Sequence, residues 1–268
     1  LDIYGNHESV QDAFSNFSQN ILSQGSLIIK KGIVLPLENL LECNVFSYAV
    51  DQEADFYANN LSLENGLYHF DFNYPNGKIS DLTLGIPGLY NVENAVAAVA
   101  AALLAGVIPE ELSIGLSGFR GVNRRFDIRI NEKNLVYIDD YAHHPEELNA
   151  CISSAKAMFP NKKLTGIFQP HLFTRTRDFA NEFAKSLSKL DEILLLPIYP
   201  ARELPIPGIT SEMLLSLISH ENKRLVQKEE IAGFLVDKKI EVLLTMGAGD
   251  IDTLVEPIEL FFRNTLNK

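Results

Sequence analysis

The stretch "LVYIDDYAHHPEEL" (Leu135–Leu148) reads as a strand, a polar loop and the start of a helix in direct succession. Leu135 to Ile138 form a short apolar run, the pattern of a strand buried in a parallel sheet. Asp139 and Asp140 end that run, and Tyr141, His143 and His144 form the loop. Pro145 suits the first turn of a helix, where its missing N–H is not needed.

The same alternation continues downstream. Strands are predicted at Leu164–Phe168, Glu192–Pro197 and Val242–Met246, with helices from Arg177, from Ser211, near Glu229 and from about Asp252. Strands separated by helical segments of ~10 to 15 residues imply βαβ units and a mainly parallel sheet covered on both faces. The second half is therefore expected to be an α/β, Rossmann-like domain.

Upstream, "RGVNRRFDIRI" (Arg120–Ile130) reads as a junction, which predicts domains over 1–122 and 123–268. Before it, "PGLYNVENAVAAVAAALLAG" predicts a helix from about Asn91 that stops at Gly106, and "PEELSIGLSGF" predicts a second helix. Between Asn44 and Leu84 the pattern is aromatic-rich and β-like. Asn76-Gly77 is read there as a hairpin turn, since both residues tolerate positive φ, and a small antiparallel element is expected. "SLIIKKGIVLPL" (Ser26–Leu37) reads as a buried strand and turn. From His7 to Leu22, Val10, Ala13, Phe14, Phe17 and Ile21 recur at amphipathic-helix spacing.

A length of 268 residues suits two domains of ordinary size. With 46% hydrophobic and 22% charged residues, the chain has the profile of a folded globular protein. A net charge of −12, with 23 scattered Lys and Arg, argues against nucleic acid as a partner. Cys43 and Cys151 lie far apart without a CxxC or metal-ligand spacing, which fits a reducing, cytoplasmic setting. "VENAVAAVAAALLAGV" is interrupted by Glu93 and Asn94, so no membrane insertion is expected. The first residue is Leu rather than Met, and the chain reads as one that begins partway through something.

In an open parallel sheet, ligands bind beyond the carboxyl ends of the strands. One polar loop there carries Asp139, Asp140, Tyr141 and His143. A second, "FQPHLFTRTRD", offers Gln169, His171, Arg175 and Arg177, and a third, "TMGAGD", offers Gly247 and Gly249. Arg175 could grip a carboxylate or phosphate through its fork of donors. His144 could equally cap or pack, and Asp139, Asp140, His143 and His171 leave open a metal-dependent hydrolase, although no HxxxH or HxxEH spacing accompanies them. Asn91 and Asn94, three apart at a helix start, could cap the helix or pair with a base edge. Arg124 and Arg125 sit at the junction, where they could be solvated or reach a ligand. No GxSxG and no GxxxxGK[ST] occurs in the 268 residues.

Taken together, "DDYAHHPEE", "FQPHLFTRTRD" and "PGLYNVENAVAA", supported by "GVNRRF" and "GAGD", resemble the Mur ligases of bacterial peptidoglycan synthesis. The resemblance runs from Leu1 to the C-terminus and implies the latter part of a central ATPase domain followed by a complete Rossmann-like domain for the incoming amino acid. A UDP-sugar domain, the phosphate loop and the main Mg²⁺ ligands are then expected upstream. It implies an ATP-dependent ligase that joins L-alanine to UDP-N-acetylmuramate through an acyl phosphate. The chain by itself would be inactive, or a non-catalytic nucleotide or amino-acid binding module. By matched position, Asn91 and Asn94 would contact adenine, Arg125 the nucleotide, and Asp140 the ribose or the metal's water shell. Tyr141, His143, His171 and Arg175 would line the acceptor side, with Arg175 steering a carboxylate and His143 near the amine, in a cradle at a domain interface. This chain has Leu172 where many relatives have a basic residue, which leaves more of the carboxylate to Arg175, and Tyr90 where many have His. A partial central domain would expose sheet edge and apolar surface, favouring self-association.

Overall fold

In a computed structural model of the chain, residues 6–34, 43–64 and 66–266 are described. They fall into two compact units, Leu1–Arg120 and Gly121–Lys268.

The first unit contains α1 (His7–Ser18), β1 (Ser26–Lys30), β2 (Asn44–Val50), β3 (Phe56–Glu64), β4 (Leu67–Tyr74), β5 (Gly77–Thr83), α2 (Leu89–Leu104) and α3 (Pro109–Gly118). Its sheet runs β1-β2-β3-β4-β5. Phe56, Ala58, Phe70, Phe72 and Leu82 from the sheet are packed against Val92, Val96, Val99 and Ala100 of α2, a helical apolar stripe. The C-terminal stop of α2 is as predicted: Gly106 has φ 92, and its N–H and that of Val107 reach back to the Leu103 and Ala102 carbonyls.

Several expectations for this unit need correction. The expected antiparallel element is present as β3, β4 and β5, but it continues into a parallel part that was not foreseen, because β1 pairs parallel with β2 and β2 parallel with β3. The β2–β3 connection covers only residues 51–55, against about a dozen for an ordinary parallel crossover. Asp51 at φ 52 turns the chain there, and the Asp55 carboxylate accepts from the N–H and hydroxyl of Ser47 at 2.7 and 2.6 Å. The β4–β5 hairpin pairs Tyr74 with Gly77, so its central residues are Pro75 and Asn76, and neither Asn76 nor Gly77 takes positive φ. Proline fixes φ near −65°, which rules out the doubly positive turn that Asn-Gly suggested. In α1, Phe14 and Phe17 are 64% and 75% exposed, so its apolar face is only partly covered. β1 is half-buried, and residues 35–37 of the predicted turn lie outside the described residues.

The second unit contains β6 (Asp127–Glu132), β7 (Leu135–Asp140), α4 (Pro145–Met158), β8 (Leu164–Phe168), α5 (Phe173–Asp178), α6 (Ala180–Leu187), β9 (Glu192–Leu195), α7 (Ser211–Leu217), β10 (Lys223–Leu225), α8 (Ile231–Asp237), β11 (Val242–Met246) and α9 (Val255–Leu266). The sheet order is β10-β9-β8-β11-β7-β6, parallel except for β6, which runs antiparallel to β7. β7, β8, β9 and β11 are buried along their whole length, as strands covered on both faces must be. On one face Tyr137, Ile167, Leu194 and Leu243 join Phe234, Leu235, Ile258 and Phe262 of α8 and α9 in a single core.

Two sequence readings differ here. Part of the junction is itself a strand, β6, in which Ile128 and Ile130 alternate with polar Asp127, Arg129 and Asn131, the period of a half-buried strand that the junction reading did not use. The helix expected from Arg177 begins earlier and is broken in two, so Arg175 and Arg177 lie on α5 rather than in the loop before it.

Candidate functional site

Because β11 lies between β7 and β8, the carboxyl ends of three adjacent strands present their loops side by side. These loops are the ones singled out in the sequence, and the segment after β9 joins them through a bridge between His171 and Tyr199.

The first loop is anchored by its two aspartates. Asp139 is fully buried and accepts from Arg124 Nε at 3.0 Å and from the Thr245 hydroxyl at 2.7 Å. Thr245 in turn accepts from the Tyr137 hydroxyl at 3.1 Å. Asp140, also buried, spends one oxygen on the Phe126 N–H and the other on the Ala142 N–H, each at 2.7 Å. Burial pushes the Asp139 carboxyl above its ordinary range. It pushes Asp140 up to about 6, against the opposing pull of those two N–H groups. Arg124 also donates to the Gly247 carbonyl at 2.7 Å, tying the junction to the third loop. It adopts φ 62, and both Arg124 and Arg125 lie over the Tyr141 ring, at 5.2 and 5.5 Å from its centroid.

The two adjacent histidines separate completely. His144 precedes α4 and sets its ring edge-on to Phe179 at 4.7 Å, a packing role. His143 turns toward Tyr141 and His171, with ring centroids 5.1 and 6.0 Å away. Its Nδ1 lies 3.0 Å from the Tyr141 carbonyl and 3.2 Å from a Glu147 oxygen, both acceptors only, so Nδ1 carries a proton and in the neutral ring Nε2 keeps its lone pair. Glu147 accepts from the N–H groups of both histidines at 2.9 and 3.1 Å, the return half of a capping box. Burial lowers the His143 pKa, favouring the neutral ring over the upward pull of the Tyr141 carbonyl and Glu147.

In the second loop, His171 stacks on Tyr199 at 5.7 Å and 22°, and Arg175 Nη1 lies 3.4 Å from His171 Nδ1. Tyr141, His143, His171 and Arg175 thus form one contiguous row. Gln169 is buried and turns away from that row. Its amide donates to Asp250 at 2.7 Å and accepts from the Ile251 N–H at 2.9 Å. The third loop needs its glycines: a Cβ on Gly249 would stand 2.5 Å from Gln169 Oε1 and 2.7 Å from Tyr199 Cβ. Arg177 is exposed and pairs with Asp178, away from the row. Leu172 is 7% exposed at φ 72.

Asn91 and Asn94 lie together in the first unit, with different environments. Asn91 is buried, donates to the Pro87 carbonyl at 2.6 Å and accepts from Asn94 at 3.4 Å, whereas Asn94 is exposed. One amide therefore secures the helix start and the other presents its remaining groups outward. Among the described residues, no group of three or more His, Cys, Asp or Glu is arranged to hold a metal ion. Asp139 and Asp140, part of the hydrolase alternative, are committed to Arg124, Thr245 and backbone N–H groups. No helix among the described residues is long and apolar enough to cross a membrane.

Tyr199 and Glu203 escaped the sequence reading. Their signal was positional: "YPARE" follows a buried strand at the same carboxyl edge as the other loops.

The first unit, a partly parallel sheet packed on the apolar helix α2, and the second, a Rossmann-like unit with this row at its strand ends, each match a domain of one class of proteins, the Mur ligases. Residues 1–102 match the Mur ligase middle domain and residues 124–249 the Mur ligase, glutamate ligase domain. The chain belongs to the Mur ligase family. It is 45% identical over 265 residues to a UDP-N-acetylmuramate–L-alanine ligase of Porphyromonas gingivalis, covering 98% of this chain and 58% of that protein. The same-named protein of Parabacteroides distasonis is 48% identical over 259 residues, with coverage of 97% and 56%. Among solved structures, a UDP-N-acetylmuramate–alanine ligase from Thermotoga maritima superposes with a TM-score of 0.77 at 26% identity, covering 99% of this chain and 57% of that one. The chain spans somewhat more than half the length of these relatives.

Proposed function

We propose that the chain is part of an ATP-dependent ligase that joins L-alanine to UDP-N-acetylmuramate in the cytoplasm, and that the row Tyr141–His143–His171–Arg175 receives the amino acid. In this reaction the sugar's lactyl carboxylate takes the γ-phosphoryl group of ATP. The alanine amine attacks that acyl phosphate, forming the amide and releasing phosphate. The observation that carries the reading is the contiguity of a cationic fork, Arg175, with a neutral histidine, His143, whose Nε2 lone pair is available. Arg175 would hold the alanine carboxylate through paired charge-assisted hydrogen bonds. His143 Nε2 would accept the proton that the ammonium must lose before it can attack, and its lowered pKa keeps it a base near neutral pH. Tyr141 and His171 would limit the space around the reacting amine.

For the nucleotide, the outward amide of Asn94 suits an adenine edge, with Asn91 holding that helix start in place. The exposed Arg125 suits a phosphate or ribose. Asp140, with both oxygens occupied by backbone N–H groups, suits an indirect contribution through the Tyr141 loop. No step is assigned to a metal held by these residues, and the Mg²⁺ that accompanies ATP is given no ligand among them.

Since the 268 residues contain no GxxxxGK[ST], the phosphate-cradling part of the reaction is assigned outside them, and the chain alone would serve as a binding module. The test pairs phosphate release from Mg-ATP, UDP-N-acetylmuramate and L-alanine with calorimetric titration of L-alanine into the chain. Alanine binding that is abolished by Arg175→Ala, without phosphate release, is expected. Substrate-dependent release by the chain alone, or binding indifferent to Arg175, would overturn the assignment.

A further inference from the structure

The helix that carries Arg175 is α5, only Phe173–Asp178, and it starts directly after Leu172 at φ 72. A helix this short does not hold itself together in water, since nucleation costs more than one turn of hydrogen bonds returns. Beside the buried Thr176, whose hydroxyl bonds the Leu172 carbonyl at 2.8 Å, its N-terminal turn is held by the segment after β9. The Tyr199 carbonyl accepts the Leu172 N–H at 2.9 Å, and the Tyr199 N–H donates to the Pro170 carbonyl at 2.8 Å. Four residues on, the Glu203 carboxylate spans the first turn of α5, accepting the Thr174 N–H at 3.0 Å and the Thr174 hydroxyl at 2.5 Å. It faces the positive charge of Arg175 as well.

We infer that Glu203 is a positioning residue for the acceptor site: through Thr174 it sets the orientation of α5 and thereby where the Arg175 guanidinium points. The inference rests on the proposed role of Arg175 as the holder of the amino-acid carboxylate. Glu203 is not itself a contact for the amino acid, because its two oxygens are engaged with Thr174 and a carboxylate would repel another carboxylate. The segment Tyr199–Glu203 acts as a strap across the His171–Arg175 turn: the Tyr199 backbone fixes its start, the ring backs His171, and Glu203 fixes its end. α5 is oriented by the strap, whereas α6 is buried by its own apolar face, including Phe183 and Leu187.

The test uses the 268-residue chain labelled with ¹⁵N, titrated with L-alanine by NMR, in parallel with amide hydrogen exchange. Four proteins are compared: wild type, Glu203→Gln, Thr174→Val and Thr174→Ser. Glu203→Gln keeps the shape and removes the charge, and is expected to weaken alanine binding about tenfold, the scale of a charge-assisted hydrogen bond. The Thr174 and Arg175 amides should lose protection while those of β7, β8 and β11 keep theirs. Thr174→Val should repeat the weakening, and Thr174→Ser, which restores the hydroxyl, should bind as wild type. Wild-type affinity and unchanged α5 protection in Glu203→Gln would overturn the inference. If the wild-type chain binds no alanine, the acceptor assignment fails. The hold on Arg175 is then judged by α5 protection alone, upheld if Glu203→Gln loses it and overturned if it does not.

Discussion

Replacing Arg124 with alanine removes the guanidinium that faces the fully buried carboxylate of Asp139. Asp139 would keep only the Thr245 hydroxyl, and the Gly247 carbonyl would lose its donor at 2.7 Å. Stranding one member of a buried pair costs about 3–5 kcal/mol. The Arg124 side chain is 21% exposed, so water reaches part of the pair and the lower end applies, about 3 kcal/mol. The variant can escape by protonating Asp139, whose pKa burial has already raised above 3.8. For an acid whose folded pKa is raised, the folded chain keeps a proton that the unfolded chain has lost. That contribution is fully present below 3.8 and is lost as the pH rises through the folded value. The deficit of Arg124→Ala relative to wild type should therefore be smallest in acid and grow toward neutrality. Adding Asp139→Asn should recover much of it, because no charge is then left unpaired. The chain has no Trp, so urea-dependent hydrogen exchange of peptides covering 135–142 and 242–250 is the suitable assay, and it reads the second unit alone. A variant within ~0.5 kcal/mol of wild type at neutral pH, or a deficit flat with pH, would refute the reasoning.

Gly249→Ala would push a methyl against Tyr199 Cβ, an atom fixed by backbone, and should cost about 1–3 kcal/mol with lost exchange protection at the Ile251 N–H; full protection would show that the loop can shift. Asn91→Ala should lower the thermal unfolding midpoint of the first unit by a stability loss of about 1 kcal/mol, as its buried bond to Pro87 goes. Asn94→Ala should leave stability within ~0.5 kcal/mol and weaken ATP binding by calorimetry, and the reverse pattern would exchange their roles. Phe14, Phe17, Leu22 and Val34, 64, 75, 81 and 89% exposed, should make the chain self-associate. Its mass by light scattering is expected to rise with concentration and to fall to the monomer in Phe14→Glu/Phe17→Glu. A constant monomer mass in the unaltered chain would count against that.

Much of the second unit could be read locally. β8 and β11 have the predicted bounds, and α4 begins at Pro145 as expected, because buried parallel strands are uninterrupted apolar runs and helix starts carry their own punctuation. The same logic located the three polar loops at the strand ends, two of which carry Tyr141, His143 and His171, whereas Arg175, expected in the second of them, lies on α5. β10 was missed because a three-residue edge strand rich in charge shows neither signal, and β6 because the alternation of Ile128 and Ile130 with polar neighbours was read as part of the junction.

What the residues determined by themselves was the buried strands and most helices of the second unit, their order, and the chemical types at the strand ends. Tertiary structure decided the rest. It inserted β11 between β7 and β8, which brings loops more than seventy residues apart onto one edge. It ran β2 parallel to β3, turned His143 toward His171 and His144 toward Phe179, and committed Asp139 and Asp140 to internal partners while leaving Phe14 and Phe17 uncovered. The physical reason is common to all of these. Periodicity and capping depend on neighbours within about one helical turn, whereas pairing, burial and the partner of a charge depend on residues that only folding brings near.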